Sequence, residues 1–221
     1  MVVAFILIGL IIFYAAIKVP AISFTSFSLR HSDCSGAATT AARDTIENDG
    51  LYVSLKDTYA MDKFEHILHK YMCQKDPHYD RTKIILCIGS DRCTGDCLGP
   101  LIGSSLVNNK SGDYIVYGTL QNPVHALNLE NCLKEIRQTH HNALVIAIDA
   151  SLSYTKSDIG KVWLNNGTLN PGNAVHKKLP AVGDISITGI VNDFQKLHTT
   201  RLYNVTNVAE FITQGLIRTL T

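Results

Sequence analysis

Two short stretches of the sequence consist of apolar residues without interruption, at Ile84–Ile88 and at Leu144–Ile148. A strand with solvent on one face alternates apolar and polar residues, whereas a strand covered by helices on both faces does not. We therefore predict that these stretches are central strands of a parallel sheet. Right-handed crossovers can place the second strand of such a sheet on one side of the first strand and the third strand on the other side. The two stretches, as first and third strands, would then be neighbours.

The rest of the domain alternates short β-rich runs with amphipathic helical patterns, an order typical of α/β folds. Helices are predicted from Asp57 to before Pro77 and over residues 98–107, 124–136 and 208–220, and further strands over residues 114–117, 159–164 and 184–191. Asn122 and Pro123 are predicted to open the third helix, and Asn207 with Glu210 to cap the last one. The predicted fold is a three-layer α/β sandwich on a mostly parallel sheet.

The charge balance and the cysteine content exclude two classes of protein. The 221 residues carry a formal net charge of +1, too balanced for the phosphate attraction of nucleic-acid binders. The six cysteines form no C-x-x-C pair and are too sparse for a disulfide scaffold. We expect free thiols, a reducing compartment and no nucleic-acid partner.

The first 17 residues carry no charge, and Lys18 is the first charged residue. We predict that residues 1–22 form a transmembrane anchor, that residues 23–50 are a linker rich in Ser, Thr and Ala, and that residues 51–221 form a single α/β domain. The basic residues after the run place that domain on the cytoplasmic face of the membrane. The alternative is an extension without an anchoring role, with the protein in the cytoplasm.

Three acids follow the two central apolar runs. Asp91 and Asp96 lie in a glycine loop after the first run, and Asp149 follows the second. Because parallel strands end at one shared edge, we expect the Asp96 and Asp149 loops to face each other. The spacing of Gly89, Gly95 and Gly99 fits neither common nucleotide-binding loop, and Asp96 would repel a phosphate.

Four blocks in this region occur in the order of a known family: I-G-S-D-R-C-T-G-D-C-L-G-P, Y-G-T-L-Q-N-P-V-H-A-L-N-L, A-I-D-A and L-P-A-V-G-D-I-S-I-T-G-I-V-N. Together they resemble the YyaC-type sporulation proteins over about residues 83–200. That family is similar to the spore germination protease and, more distantly, to the hydrogenase maturation endopeptidases, which share a phosphorylase/hydrolase-like α/β sandwich. The resemblance implies a peptidase with two catalytic aspartates, which fall on Asp96 and Asp149.

Paired carboxylates suit amide hydrolysis because one can keep a proton while the other activates water. We expect Asp91 to hold the glycine loop and His125, in the first turn of a helix, to support the site. The substrate would be a protein or peptide of the spore or forespore, and no cofactor or metal is predicted. Two alternatives stay open: Cys93 and Cys97, with Cys87 nearby, as metal ligands or a redox pair, and Asp96, Asp149 and His125 as a metal site. A catalytically inactive binding or regulatory protein with the same fold is the alternative function.

Overall fold

The computed structural model describes residues 50–109, 112–171, 179–193 and 199–221. These residues form six strands and four α-helices, with short 3-10 turns at Thr94–Cys97 and Lys156–Asp158. In order they are β1 (Leu51–Ser54), α1 (Ala60–Lys75), β2 (Thr82–Cys87), α2 (Leu98–Asn109), β3 (Tyr114–Tyr117), α3 (Leu129–Thr139), β4 (Ala143–Ser153), β5 (Lys161–Asn165), β6 (Ile185–Asp193) and α4 (Leu202–Leu220).

All six strands form one mixed sheet in the order β1-β5-β6-β4-β2-β3. Strands β3, β2, β4 and β6 run parallel, while β5 is antiparallel to both β6 and β1. Ile84 lies opposite Val145 in the register of β2 and β4, and Leu86 lies opposite Ala147. The prediction that the two apolar runs are adjacent parallel strands is confirmed.

Helices cover the sheet on both faces. On one face α1, α2 and α4 enclose a core that includes Ile85, Ile146 and Ile187. On the other face α3 packs over β2 and β4, where Leu129 meets Ile84 and Ala147 in a second apolar cluster. Burial of each large aliphatic side chain contributes about 1.5–3 kcal/mol, which explains why the runs Ile84–Ile88 and Leu144–Ile148 in the two central strands are apolar throughout. The predicted three-layer sandwich is confirmed.

Two helices begin at places that differ from the prediction. Helix α3 begins at Leu129 rather than after Asn122 and Pro123, because Val124 is extended: it forms a parallel bridge with Ile88. Helix α4 begins at Leu202, one and a half turns before the predicted start, so Asn207 lies inside it and does not cap it.

The predicted anchor at residues 1–22 and most of the predicted linker at residues 23–50 lie outside the described residues. Within the described part of the chain, no helix is long and apolar enough to cross a membrane. The anchor therefore stays a prediction.

Candidate active site

Asp96 lies in the 3-10 turn between β2 and α2, at the carboxyl edge of the parallel strands. The loop returns on itself, since the Ser90 backbone N–H donates to the Asp96 carbonyl oxygen at 3.1 Å. Gly89 makes this return possible. Its φ is +137°, and a Cβ there would lie 2.0 Å from the same carbonyl oxygen.

Asp149 lies within β4, directly after Ile148, which is the residue that pairs with Cys87 at the end of β2. The prediction placed it in a loop, but β4 continues to Ser153 and pairs with β6 along this extension. Asp149 shares a face of the sheet with Ala147, so its side chain lies on the α3 side. The backbone N–H of Ala150 donates to Asp149 Oδ1 at 2.8 Å.

The pKa values of both acids are raised. Burial, followed by the negative charge of Asp96, raises the pKa of Asp149 to about 8. Burial also raises the pKa of Asp96 to about 6. Hydrogen bonding from Ser90 and the charge of His125 each lower that pKa in part. The two acids are therefore close enough to interact electrostatically. Burial keeps each carboxyl protonated to a higher pH than an exposed aspartate.

His125 lies in the turn that leads into α3, not in the first turn of a helix as predicted. Its backbone N–H donates to Asn128 Oδ1 at 2.8 Å, and its ring Nδ1 accepts the N–H of Leu127 at 3.3 Å. With Nδ1 accepting, the ring proton of a neutral His125 is on Nε2. The charge of His125 contributes to lowering the pKa of Asp96.

Asp91 differs from its predicted role. Its side chain is exposed and makes no hydrogen bond to any described residue. Ser90 holds the loop instead, because its hydroxyl accepts the Arg92 N–H at 3.2 Å and Ser90 also bonds to the Asp96 carboxyl. Ser90 was missed by the sequence analysis, although its place directly after Gly89 in the glycine loop is a signal for such a role.

A second support of the Asp96 turn comes from the end of β6. Asn192 is buried, and its side-chain Nδ2 donates to Thr200 Oγ1 at 3.0 Å. Thr200 in turn packs on Gly95, where a Cβ would be 3.3 Å from the threonine hydroxyl. No pattern in the sequence pointed to this contact, because it depends on where the end of β6 and Thr200 lie relative to the Asp96 turn.

Neither metal hypothesis gains a ligand set. Among the described residues, no group of three or more His, Cys, Asp and Glu side chains is arranged to hold a metal ion. Cys93 is exposed, whereas Cys97 is buried and its thiol donates to the Thr94 carbonyl at 3.0 Å. Burial raises the pKa of Cys97, which disfavours the thiolate that metal binding needs.

The fold and the site together define a three-layer α/β protein with an interacting acid pair at the carboxyl edge of its parallel strands. The model of the family described as "Protein of unknown function (DUF1256)" matches residues 52–215, and the chain belongs to that family. It is 40% identical over 170 residues to the uncharacterized protein YyaC of Bacillus subtilis (strain 168), a match that covers 75% of this chain and 81% of YyaC. The resemblance to YyaC-type proteins is thereby confirmed.

Among solved structures, the chain is similar to a [NiFe] hydrogenase maturation protease, HycI, from Thermococcus kodakarensis KOD1. The TM-score is 0.49 at 18% sequence identity, over 70% of this chain and 98% of HycI.

Proposed function

We propose that the protein is a peptidase in which Asp149 is the general acid and Asp96 is the base that activates water. The observation that carries the proposal is the position of the two acids at one edge of the sheet: Asp96 lies in the turn after β2, and Asp149 directly follows the part of β4 that pairs with β2. Burial raises both pKa values, that of Asp149 to about 8 and that of Asp96 to about 6. Near pH 7 Asp149 then holds its proton while Asp96 is ionised. Hydrolysis of an amide needs both forms at once, an acid for the leaving nitrogen and a base for the water.

The surroundings of the acids support these roles. Ser90 bonds to the Asp96 carboxyl and favours its ionised form, as does the nearby His125. Burial and then the charge of Asp96 favour the neutral form of Asp149, and the hydrogen bond it receives from the described residues comes from the Ala150 N–H. His125 is assigned a supporting role, in which its ring Nε2–H would donate to the substrate carbonyl oxygen.

The substrate is proposed to be a protein of the spore or forespore, because the chain belongs with YyaC and resembles sporulation proteins. The predicted anchor at residues 1–22, with the basic residues after it, supports a location at the cytoplasmic face of a membrane. The catalytic and supporting groups in this proposal are all side chains of this protein, and the proposed reaction uses no cofactor.

The proposal is tested by incubating the full chain with reduced casein at pH 7 and detecting new amino termini by mass spectrometry. We expect new termini with the wild type and a loss of at least about a hundredfold with Asp96→Asn or Asp149→Asn, since general acid and base each contribute that much or more. Asp113→Asn is the matched control, because Asp113 is exposed and lies just before β3, at the amino end of the parallel strands and away from the acid pair.

Two results would overturn the proposal. Equal cleavage by wild type and both site variants would assign the activity to another site or to a contaminant. Absence of cleavage by the wild type on casein and on a mixture of spore proteins would favour the catalytically inactive binding protein.

A further inference from the structure

Asp149 belongs to a row of four side chains that crosses the sheet. In the strand registers Asp149 lies opposite Thr188, Thr188 lies opposite Trp163, and Trp163 lies opposite Tyr52. Residues opposite each other on neighbouring strands point to the same face. The face is the one that carries α3, because the flanking residues Val53, Val162 and Ile148 pack into the core on the other side.

The far end of the row is an aromatic platform, formed by Tyr52 and Trp163. Their ring centroids are 4.3 Å apart, with 51° between the ring planes. The indole is held from one side by the backbone of Gly50, where a Cβ would lie 2.0 Å from Trp163 Cζ2. The contact with Gly50 holds the indole in place, and the 51% exposure of Tyr52 leaves the pair open to a ligand.

The charges beside the platform are already paired. Burial and then the charge of Asp158 raise the pKa of Tyr52, which places that carboxylate close to the ring. Asp158 Oδ1 accepts Lys161 Nζ at 2.7 Å, and its Oδ2 accepts the Ser153 hydroxyl at 2.6 Å. A paired carboxylate adds little attraction for a cationic group, so the platform suits an uncharged planar or apolar side chain.

We propose that Tyr52 and Trp163 form a subsite for a large apolar or aromatic side chain of the polypeptide bound at Asp149. This inference rests on the proposed function for the identity of the ligand as a polypeptide. Strands about 4.8 Å apart put the Cα of Trp163 about 10 Å from that of Asp149. An extended peptide advances about 3.3–3.6 Å per residue, so the subsite accepts a side chain about three residues from the scissile bond.

The test uses the intrinsic fluorescence of Trp163, the one tryptophan of the chain, with N-acetylphenylalaninamide as the probe. Titration is carried out on the full chain and on its Asp149→Asn variant, so that binding is measured without hydrolysis. We expect a saturable fluorescence change in both proteins and a much weaker one with N-acetylalaninamide. Tyr52→Ala is expected to weaken binding about fivefold through the lost ring contact, and Tyr52→Phe to bind like the wild type.

Tyr203→Ala is the matched control, because Tyr203 is 64% exposed on α4, which packs on the opposite face of the sheet. The subsite is overturned if the phenylalanine probe causes no saturable change, or if folded Tyr52→Ala binds it as tightly as the wild type. Tighter binding of N-acetylargininamide would overturn the apolar assignment. Binding of the probe by a protein that cleaves no peptide would contradict the peptidase proposal alone, and cleavage without probe binding would contradict the subsite alone.

Discussion

At the scale of single residues, the buried acid Asp149 costs stability when it ionises. Its pKa in the folded protein is about 8, above the ordinary value of 3.8, so the folded state binds the proton more tightly than the unfolded state. The stabilisation is complete at low pH and is lost as pH rises towards 8. One such group lowers the free energy of unfolding by up to about 1.4 kcal/mol per pH unit in this window.

Asp149→Asn is therefore expected to be more stable than the wild type at pH 8 and to gain much less at pH 5. Urea denaturation of both proteins at the two pH values measures the difference. The exposed Asp113→Asn variant should follow the wild type at both. A wild type and an Asp149→Asn variant with the same pH dependence would contradict the burial of an ionisable Asp149.

The two acids were predictable from sequence, whereas the residues around them were not. Asp96 and Asp149 follow uninterrupted apolar strands, and the ends of neighbouring parallel strands meet at one edge. The subsite residues Tyr52 and Trp163 depend on the register of β1 and β5. Strand β1 was not predicted, because it has only four residues, of which Leu51 and Tyr52 are exposed, and it is an edge strand stabilised by pairing.

At the scale of elements, α4 and α1 approach each other closely at one glycine. A Cβ on Gly215 of α4 would lie 2.3 Å from Cδ1 of the fully buried Phe64 in α1. Gly215→Val is expected to push the helices apart and lower the free energy of unfolding by about 1–3 kcal/mol, as overpacked cores do. Thermal or urea unfolding measures the loss.

Gln214→Ala, on the exposed side of the same helix turn, should stay within about 0.5 kcal/mol of the wild type. Two variants of equal stability would show that α1 and α4 do not pack at this glycine.

The starts of α3 and α4 show where packing outweighs local sequence signals. Asn122 and Pro123 form a strong local start signal, yet the bridge of Val124 to Ile88 and the hydrogen bond of Gly89 to the Val124 carbonyl keep this segment extended. In α4, the buried Val205 and Val208 extend the helix through a stretch rich in Asn and Thr. Tertiary contacts of this kind cannot be predicted from periodicity.

At the scale of the whole molecule, deletion of residues 1–22 tests whether this segment attaches the protein to a membrane. The uncharged run of residues 1–17 is at the lower end of the roughly 17–25 residues that span a bilayer as a helix, and residues 19–22 can add to it. We expect full-length protein to stay with membranes after carbonate extraction and the protein lacking residues 1–22 to be released. The full-length Asp149→Asn variant should fractionate like the wild type. Identical fractionation with and without residues 1–22 would rule out the anchor.

The central claim is that Asp96 and Asp149 form one interacting acid pair, and carboxyl titration by ¹³C NMR tests it most directly. The wild type should show one aspartate that titrates near pH 8 and a second near pH 6. In Asp96→Asn the titration of Asp149 should move to lower pH, because the neighbouring negative charge is gone while the burial remains. An Asp149 that titrates near its ordinary value of 3.8, or whose pKa is unchanged in Asp96→Asn, would contradict the account.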